Sequence, residues 1–212
     1  MKKGLTEIVC VLDRSGSMRS IMSDAIGGLN SFITEQKKLE GDATITMALF
    51  DNGYDIIHEN VDINDVAEIT SEVYYPRGMT ALYDAIGKTV TSVGQRLAST
   101  DESERPEKVI VAILTDGMEN CSREYDAETI KTIIKEQEDK YNWQFMYLAA
   151  NQDAFDIGQQ FGMRSHNSIN FNATAKGAIN AFDNMTSYSK QVRSAKVLDQ
   201  NTMMDYKVIT EE

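Results

Sequence analysis

The residues best suited to chemistry in this chain are Asp13, Ser15 and Ser17, in the run Asp13-Arg14-Ser15-Gly16-Ser17. They follow directly on the apolar run Ile8-Val9-Cys10-Val11-Leu12. A buried strand that ends in D-x-S-x-S delivers oxygen side chains at i, i+2 and i+4, and in an extended loop that spacing points them the same way. One carboxylate and two hydroxyls converging at a strand's carboxyl end suit a hard divalent cation such as Mg2+. Two further segments are placed to complete the set. Gly78-Met79-Thr80-Ala81-Leu82-Tyr83 opens a helical pattern, and Leu114-Thr115-Asp116-Gly117 closes a second apolar strand. The candidate metal ligands are therefore Asp13, Ser15, Ser17, Thr80 and Asp116. Mg2+ demands octahedral oxygen coordination and keeps its waters. Two carboxylates roughly cancel its charge, and neutral hydroxyls fill further positions without quenching it. The ion stays electrophilic, and a carboxylate from another molecule can displace a water.

The elements that must position these residues alternate between strand and helix. Leu5 to Leu12 reads as the first strand, and Met18 to Leu39 as a helix with Ile21, Met22, Ala25, Ile26, Leu29, Phe32 and Ile33 at helical spacing. Gly27-Gly28 inside it weakens the helix, and close packing on a sheet is the expected reason. Ala43 to Phe50 and Tyr54 to Glu59 flank the turn Asp51-Asn52-Gly53, which predicts an antiparallel hairpin at a sheet edge. Residues 60 to 77 read as irregular. Ala81 to Leu97 is a helix, Val109 to Leu114 an uninterrupted apolar strand, and Ala127 to Lys140 a helix. A strand over Trp143 to Ala149, a short helix near Ala154 to Phe161 and a strand at Ser168 to Phe171 follow. Thr174 is placed to cap a last helix running past Val192. Strands separated by helices imply right-handed crossovers. The expected fold class is α/β: a doubly wound, Rossmann-like, mostly parallel sheet with one antiparallel edge strand and helices on both faces. Ligands of such sheets bind at the carboxyl ends of the strands, at the switch in strand order. Asp13 and Asp116 both fall at such ends.

Composition narrows the function classes. The 212 residues are enough for one α/β domain, read as 1–200 with a C-terminal tail at 201–212. The net charge is −12 and no run of Lys or Arg is longer than Lys2-Lys3 or Lys37-Lys38, which argues against nucleic acid and anionic membranes as partners. No stretch approaches the about 18 apolar residues of a membrane span. The apolar run behind the charged N-terminus is too short for a secretory signal. Cys10 falls in a strand and Cys121 in a loop, without metal-ligand spacing, so a reducing cytoplasm is the expected compartment. His58 and His166 are lone residues and read as structural or surface; Asp101-Glu102-Ser103-Glu104 reads as a solvated loop. Val208-Ile209-Thr210-Glu211-Glu212 fits either a frayed tail or an added edge strand.

Taken together, the three loops resemble the metal-ion-dependent adhesion site (MIDAS) of von Willebrand factor A (VWA) domains, and the resemblance runs over nearly the whole chain. It is nearest to stand-alone VWA proteins of bacteria and their phages, through Leu12-Asp13-Arg14-Ser15-Gly16-Ser17-Met18, Pro76-Arg77-Gly78-Met79-Thr80-Ala81-Leu82 and Ala149-Ala150-Asn151-Gln152-Asp153-Ala154. The resemblance implies direct metal contact by Ser15, Ser17 and Thr80, with Asp13 and Asp116 acting directly or through water. It also implies Mg2+, with Mn2+ and Ca2+ as alternatives.

Competing readings stand beside this one. Ser17 and Thr80 fit ordinary helix N-caps. A bound metal can also serve only to stiffen its loops. Met18, Met79 and Met118 accompany the three loops, and methionine is an adaptable contact residue. One or two of them are expected to form an apolar rim near Tyr83 and Asn120, with core packing the competing role, above all for Met18. An enzyme on a similar sheet is the main alternative function. Haloacid-dehalogenase-type phosphatases carry a general-acid Asp two residues after their nucleophile, where this chain has Ser15, whose hydroxyl does not replace a carboxylate in proton transfer near neutral pH. Neither G-x-x-x-x-G-K-[ST] nor a G-x-G-x-x-G after the first strand is present, against nucleotide binding. A structural subunit of an assembly is a third possibility. The expectation is a non-enzymatic, cytoplasmic adaptor that grips an acidic side chain of a protein partner through the metal; the sequence does not specify its oligomeric state.

Overall fold

The computed structural model describes residues 1–150, 154–163 and 167–196. Six strands form one sheet: β1 (Lys2–Asp13), β2 (Ala43–Phe50), β3 (Tyr54–Asp62), β4 (Pro106–Thr115), β5 (Gln144–Ala150) and β6 (Ser168–Phe171). Five α-helices cover it: α1 (Met22–Lys37), α2 (Leu82–Ser99), α3 (Ala127–Tyr141), α4 (Ala154–Gln160) and α5 (Ala175–Ser194). The spatial order is β3-β2-β1-β4-β5-β6, and every neighbouring pair is parallel except β2–β3. That is the doubly wound α/β sheet expected, with the hairpin turn at Asp51-Asn52-Gly53 forming its antiparallel edge.

The two-residue period of β1 divides the core. Ile8, Cys10 and Leu12 face a layer built by α1 and α5, with Leu29, Phe32, Phe182, Met185 and Tyr188. Val9 and Val11 face the opposite layer of α2 and α3, with Ile86, Val90, Ile130 and Ile134. β1 and β4 are buried on both faces, which is why their sequences are unbroken apolar runs rather than alternating ones.

The structure corrects several local readings. The first helical stretch is not continuous: a 3-10 turn at Gly16–Ser20 precedes α1. β3 extends to Asp62, and a further 3-10 turn covers Ile63–Asp65 inside the stretch read as irregular. Gly28 serves a helix contact rather than a sheet contact, because a Cβ there would lie 2.5 Å from Cδ2 of Phe182 on α5. Thr174 caps α5 as expected, its side chain accepting from the Gly177 amide. Asp101-Glu102-Ser103-Glu104 is exposed, and His58 lies part-buried on β3. His166, Asn151-Gln152-Asp153 and the 201–212 tail with Val208–Glu212 lie outside the described residues. Among the described residues no helix is long and apolar enough to cross a membrane.

Candidate metal centre

From β1 the chain winds to β2 and β3 on one side; β4, β5 and β6 lie on the other. The switch point therefore lies between the carboxyl ends of β1 and β4, where Asp13 ends β1 and Asp116 follows Thr115 of β4. Backbone bonds bring the other loops there. The Gly16 amide donates to the Gly78 carbonyl at 3.1 Å, and the Arg77 amide to the Arg14 carbonyl at 2.7 Å. The Asn120 amide donates to the Thr80 carbonyl at 3.1 Å, while the Thr80 amide donates to Oδ1 of Asn120 at 2.9 Å.

The five sequence-chosen oxygen side chains meet at this point. The Ser17 hydroxyl donates to Oδ1 of Asp116 at 2.6 Å, and Oγ of Ser15 and Oγ of Ser17 are 2.9 Å apart. Oδ1 of Asp13 accepts from the Ser15 amide at 2.6 Å, and Oδ2 accepts from the Thr115 hydroxyl at 2.6 Å. Gly117 locates Thr80 in the same cluster. A Cβ at Gly117 would sit 3.1 Å from Oγ1 of Thr80, 3.2 Å from Oγ of Ser17 and 3.9 Å from Oδ2 of Asp13. One point of space is thus ringed by oxygens from all three loops, and any side chain at 117 would fill it. Ser17 and Thr80 are not helix caps: the residues preceding α1 and α2 are Ile21 and Ala81, and neither helix has a side-chain cap bond.

The electrostatics of the cluster fit a cation. Asp13 is wholly buried, and its hydrogen-bond donors are a hydroxyl and an amide, both neutral. Burial pushes its carboxyl up to about 6, against the lowering by Thr115 and Ser15, and the nearby Asp116 charge adds to the rise. Asp116 is raised too, mainly by burial, with the Ser17 hydroxyl opposing. Two buried carboxylates and three hydroxyls are a donor set that a hard divalent ion stabilises and that no neutral ligand would. Among the described residues no three His, Cys, Asp or Glu side chains cluster, so a metal here rests on the mixed carboxylate–hydroxyl set.

Several supporting residues were not singled out from the sequence. Thr115 fixes Asp13, and the Tyr74 hydroxyl donates to the Asp13 carbonyl at 2.7 Å. Arg14, inside the D-x-S-x-S run, turns inward: its Nε donates to Oδ2 of Asp51 at 2.8 Å and its Nη2 to Oδ2 of Asp55. Arg77 donates to the same two carboxylates, at 2.7 Å and 3.2 Å. The hairpin tip thereby ties the loop holding Asp13 to the loop holding Thr80. On the far side, Glu119 accepts from the Tyr83, Cys121 and Ser122 amides, and Asp84 accepts from the Arg123, Glu124 and Tyr125 amides. The only sequence trace of the ionic tie was the turn signal at Asp51-Asn52-Gly53, which says nothing of pairing partners.

The sequence matches no family model and no curated protein. Solved structures do match. A von Willebrand factor type A protein from Catenulispora acidiphila aligns over 88% of this chain with a TM-score of 0.60 at 16% identity. The fold is that of von Willebrand factor A domains. The same VWA fold is shared with the manganese-loaded TRAP protein of Plasmodium vivax, over 85% of this chain and 73% of that one, at 15% identity and a TM-score of 0.59. Proximal thread matrix protein 1 from the mussel byssus, with a zinc-occupied MIDAS motif, aligns over 84% of this chain at 12% identity and a TM-score of 0.58. This chain spans 43% of the Catenulispora chain and 46% of the mussel chain, so it corresponds to one part of each. At these identities the likeness is one of fold.

Proposed function

We propose that the chain is a metal-dependent protein-binding module, non-enzymatic, that holds a divalent cation through Asp13, Ser15, Ser17, Thr80 and Asp116 and captures an acidic side chain of a partner protein. The observation that carries this reading is the ring of oxygens around Gly117, with two buried carboxylates at the switch point of the sheet. The metal and zinc-site neighbours on the same fold support a divalent ion at this place, and Mg2+ is the ion that best suits an all-oxygen set. A bound cation would supply a Lewis-acidic position for an incoming carboxylate. The chain's own residues do the rest: Thr115 and the Ser15 amide aim Asp13, Asn120 holds the Thr80 loop, and the hairpin tip locks the first two loops together. We place its action in a reducing cytoplasm, supported by two free cysteines, Cys10 in the core and Cys121 half-buried.

The test is calorimetric titration of Mg2+ and Mn2+ into wild type and Asp116→Ala, followed by retention from host lysate in Mg2+ and in EDTA. Metal binding by wild type alone, with a protein retained only by the metal-loaded wild type, is the expected result. Equal metal binding by the variant removes these residues from the site. Metal binding without any metal-dependent retention, together with a large fall in melting temperature on chelation, reduces the metal to a brace for the loops. Phosphatase turnover of a small aryl phosphate by the metal-loaded protein, lost in Asp116→Ala, would replace the reading with an enzymatic one.

A further inference from the structure

We infer that the partner's carboxylate is a solitary acid set between large apolar side chains, read by Met79 and Met118 beside the metal site. This rests on the binding reading above and specifies the partner that reading leaves open.

Met18, the third methionine of these loops, is wholly buried in the core and takes no part. Met79 and Met118 are 54% and 65% exposed, and each lies beside a residue of the oxygen ring: Met79 next to Thr80, Met118 next to Gly117. The backbone bond from Asn120 to Thr80 ties their two loops to each other. Two exposed, unbranched, polarisable side chains beside a charged site are a contact surface that conforms to apolar groups of varied shape.

The acids around the site are engaged by the protein's own donors. Glu119 is engaged by three backbone amides and the Ser122 hydroxyl, Asp84 by three amides, and Asp51 and Asp55 by the two arginines. Beside the oxygen ring the flanks expose Met79 and Met118, with Tyr75 and Arg77 on the stretch before Met79. The exposed cations of the adjoining loops are Arg19, Arg123 and Arg77, the last already paired with Asp51 and Asp55, and they stand in a chain of net charge −12, which repels a polyacidic segment at long range. A single carboxylate for the metal, with apolar neighbours for the methionines, is the partner chemistry these features fit together.

The experiment uses the full chain and three synthetic peptides of equal length, each with one central Asp flanked by Leu and Phe, by Ser, or by further Asp, in Mg2+ and in EDTA. The apolar-flanked peptide should bind wild type about tenfold more tightly than the Ser-flanked one, as one buried apolar side chain's worth of contact would give. Met79→Ser with Met118→Ser should erase that preference with Mg2+ affinity unchanged, and Met79→Leu with Met118→Leu should retain it. Equal metal-dependent affinity for the Leu/Phe and Ser peptides, or tighter binding of the poly-Asp peptide, overturns the inference and leaves the metal reading standing. Metal binding with no Mg2+-dependent affinity for any of the three peptides overturns both.

Discussion

Two pairs of aspartates lie side by side at one end of the sheet and meet opposite fates. Asp13 and Asp116 are surrounded by hydroxyls and amides; Asp51 and Asp55 are surrounded by the guanidinium groups of Arg14 and Arg77. Asp13 and Asp51 both expose almost no surface, though Asp13 lies the deeper; burial drives Asp13 up to about 6, while for Asp51 the Arg77, Gly53 and Arg14 contacts outweigh burial and hold the carboxyl below its ordinary value. Lack of exposed surface does not by itself set the direction of the shift. The partners that lower each carboxyl differ: two guanidinium groups hold Asp51, while hydroxyls and an amide oppose the rise of Asp13, the arrangement that the proposed cation would answer.

The contrast can be broken most forcefully at Asp13. Asp13→Asn should abolish Mg2+ binding in calorimetry while leaving the metal-free protein at least as stable as wild type, because it removes a buried charge with no cationic partner. A clear loss of metal-free stability would mean that Asp13 is a structural acid after all. Arg14→Ala should act the other way. Removing one partner of a buried ion pair costs about 3–5 kcal/mol, read from urea unfolding, and loosening the loop should also weaken Mg2+ by about tenfold or more. Arg77→Ala, at a half-exposed position, should lower stability measurably less than Arg14→Ala.

Metal addition tests the same asymmetry from outside. At a hundredfold excess over its Kd, Mg2+ should stabilise wild type by about 2.7 kcal/mol. For a chain of this size that raises Tm by roughly 5–10 °C. Asp13→Asn should show no rise. The smallest effect concerns pH. The Asp51 carboxyl is lowered in the folded protein relative to its ordinary 3.8, so the folded state binds fewer protons than the unfolded one. Its stabilisation is therefore present above that value and is lost as pH falls through the folded one. Asp51→Asn should flatten the acid limb of a plot of Tm against pH; an unchanged limb would show that the arginines do not hold this carboxylate.

Much of the fold was readable because its signals are local. The unbroken apolar runs of β1 and β4, the Asp51-Asn52-Gly53 turn and the Thr174 cap each act within a few residues, and each is where periodicity and turn chemistry place it. The differences from the sequence are local too: the 3-10 turn after Ser15 follows the backbone of the Asp13–Ser17 loop rather than helical spacing, and Gly28 packs on α5 rather than on the sheet because a glycine's close contact is set by whatever packs over it. The five oxygen side chains that the structure brings together were legible as well: Asp13, Ser15 and Ser17 through their spacing along the loop, Asp116 through its strand end, and Thr80 through the loop that opens the next helical pattern.

The sequence by itself thus determined the alternation of strands and helices, the placing of helices on both faces of the sheet, and the identity of the oxygen side chains at the strand ends. Only the tertiary structure decided which carboxylates would be answered by arginine, that Met18 is core while Met79 and Met118 are surface, and that Gly117 leaves the space between the oxygens open. The physical reason is range. Periodicity and turn chemistry act through neighbouring residues, whereas the charge balance of a buried acid is set by groups from loops tens of residues apart that meet only when the sheet is assembled.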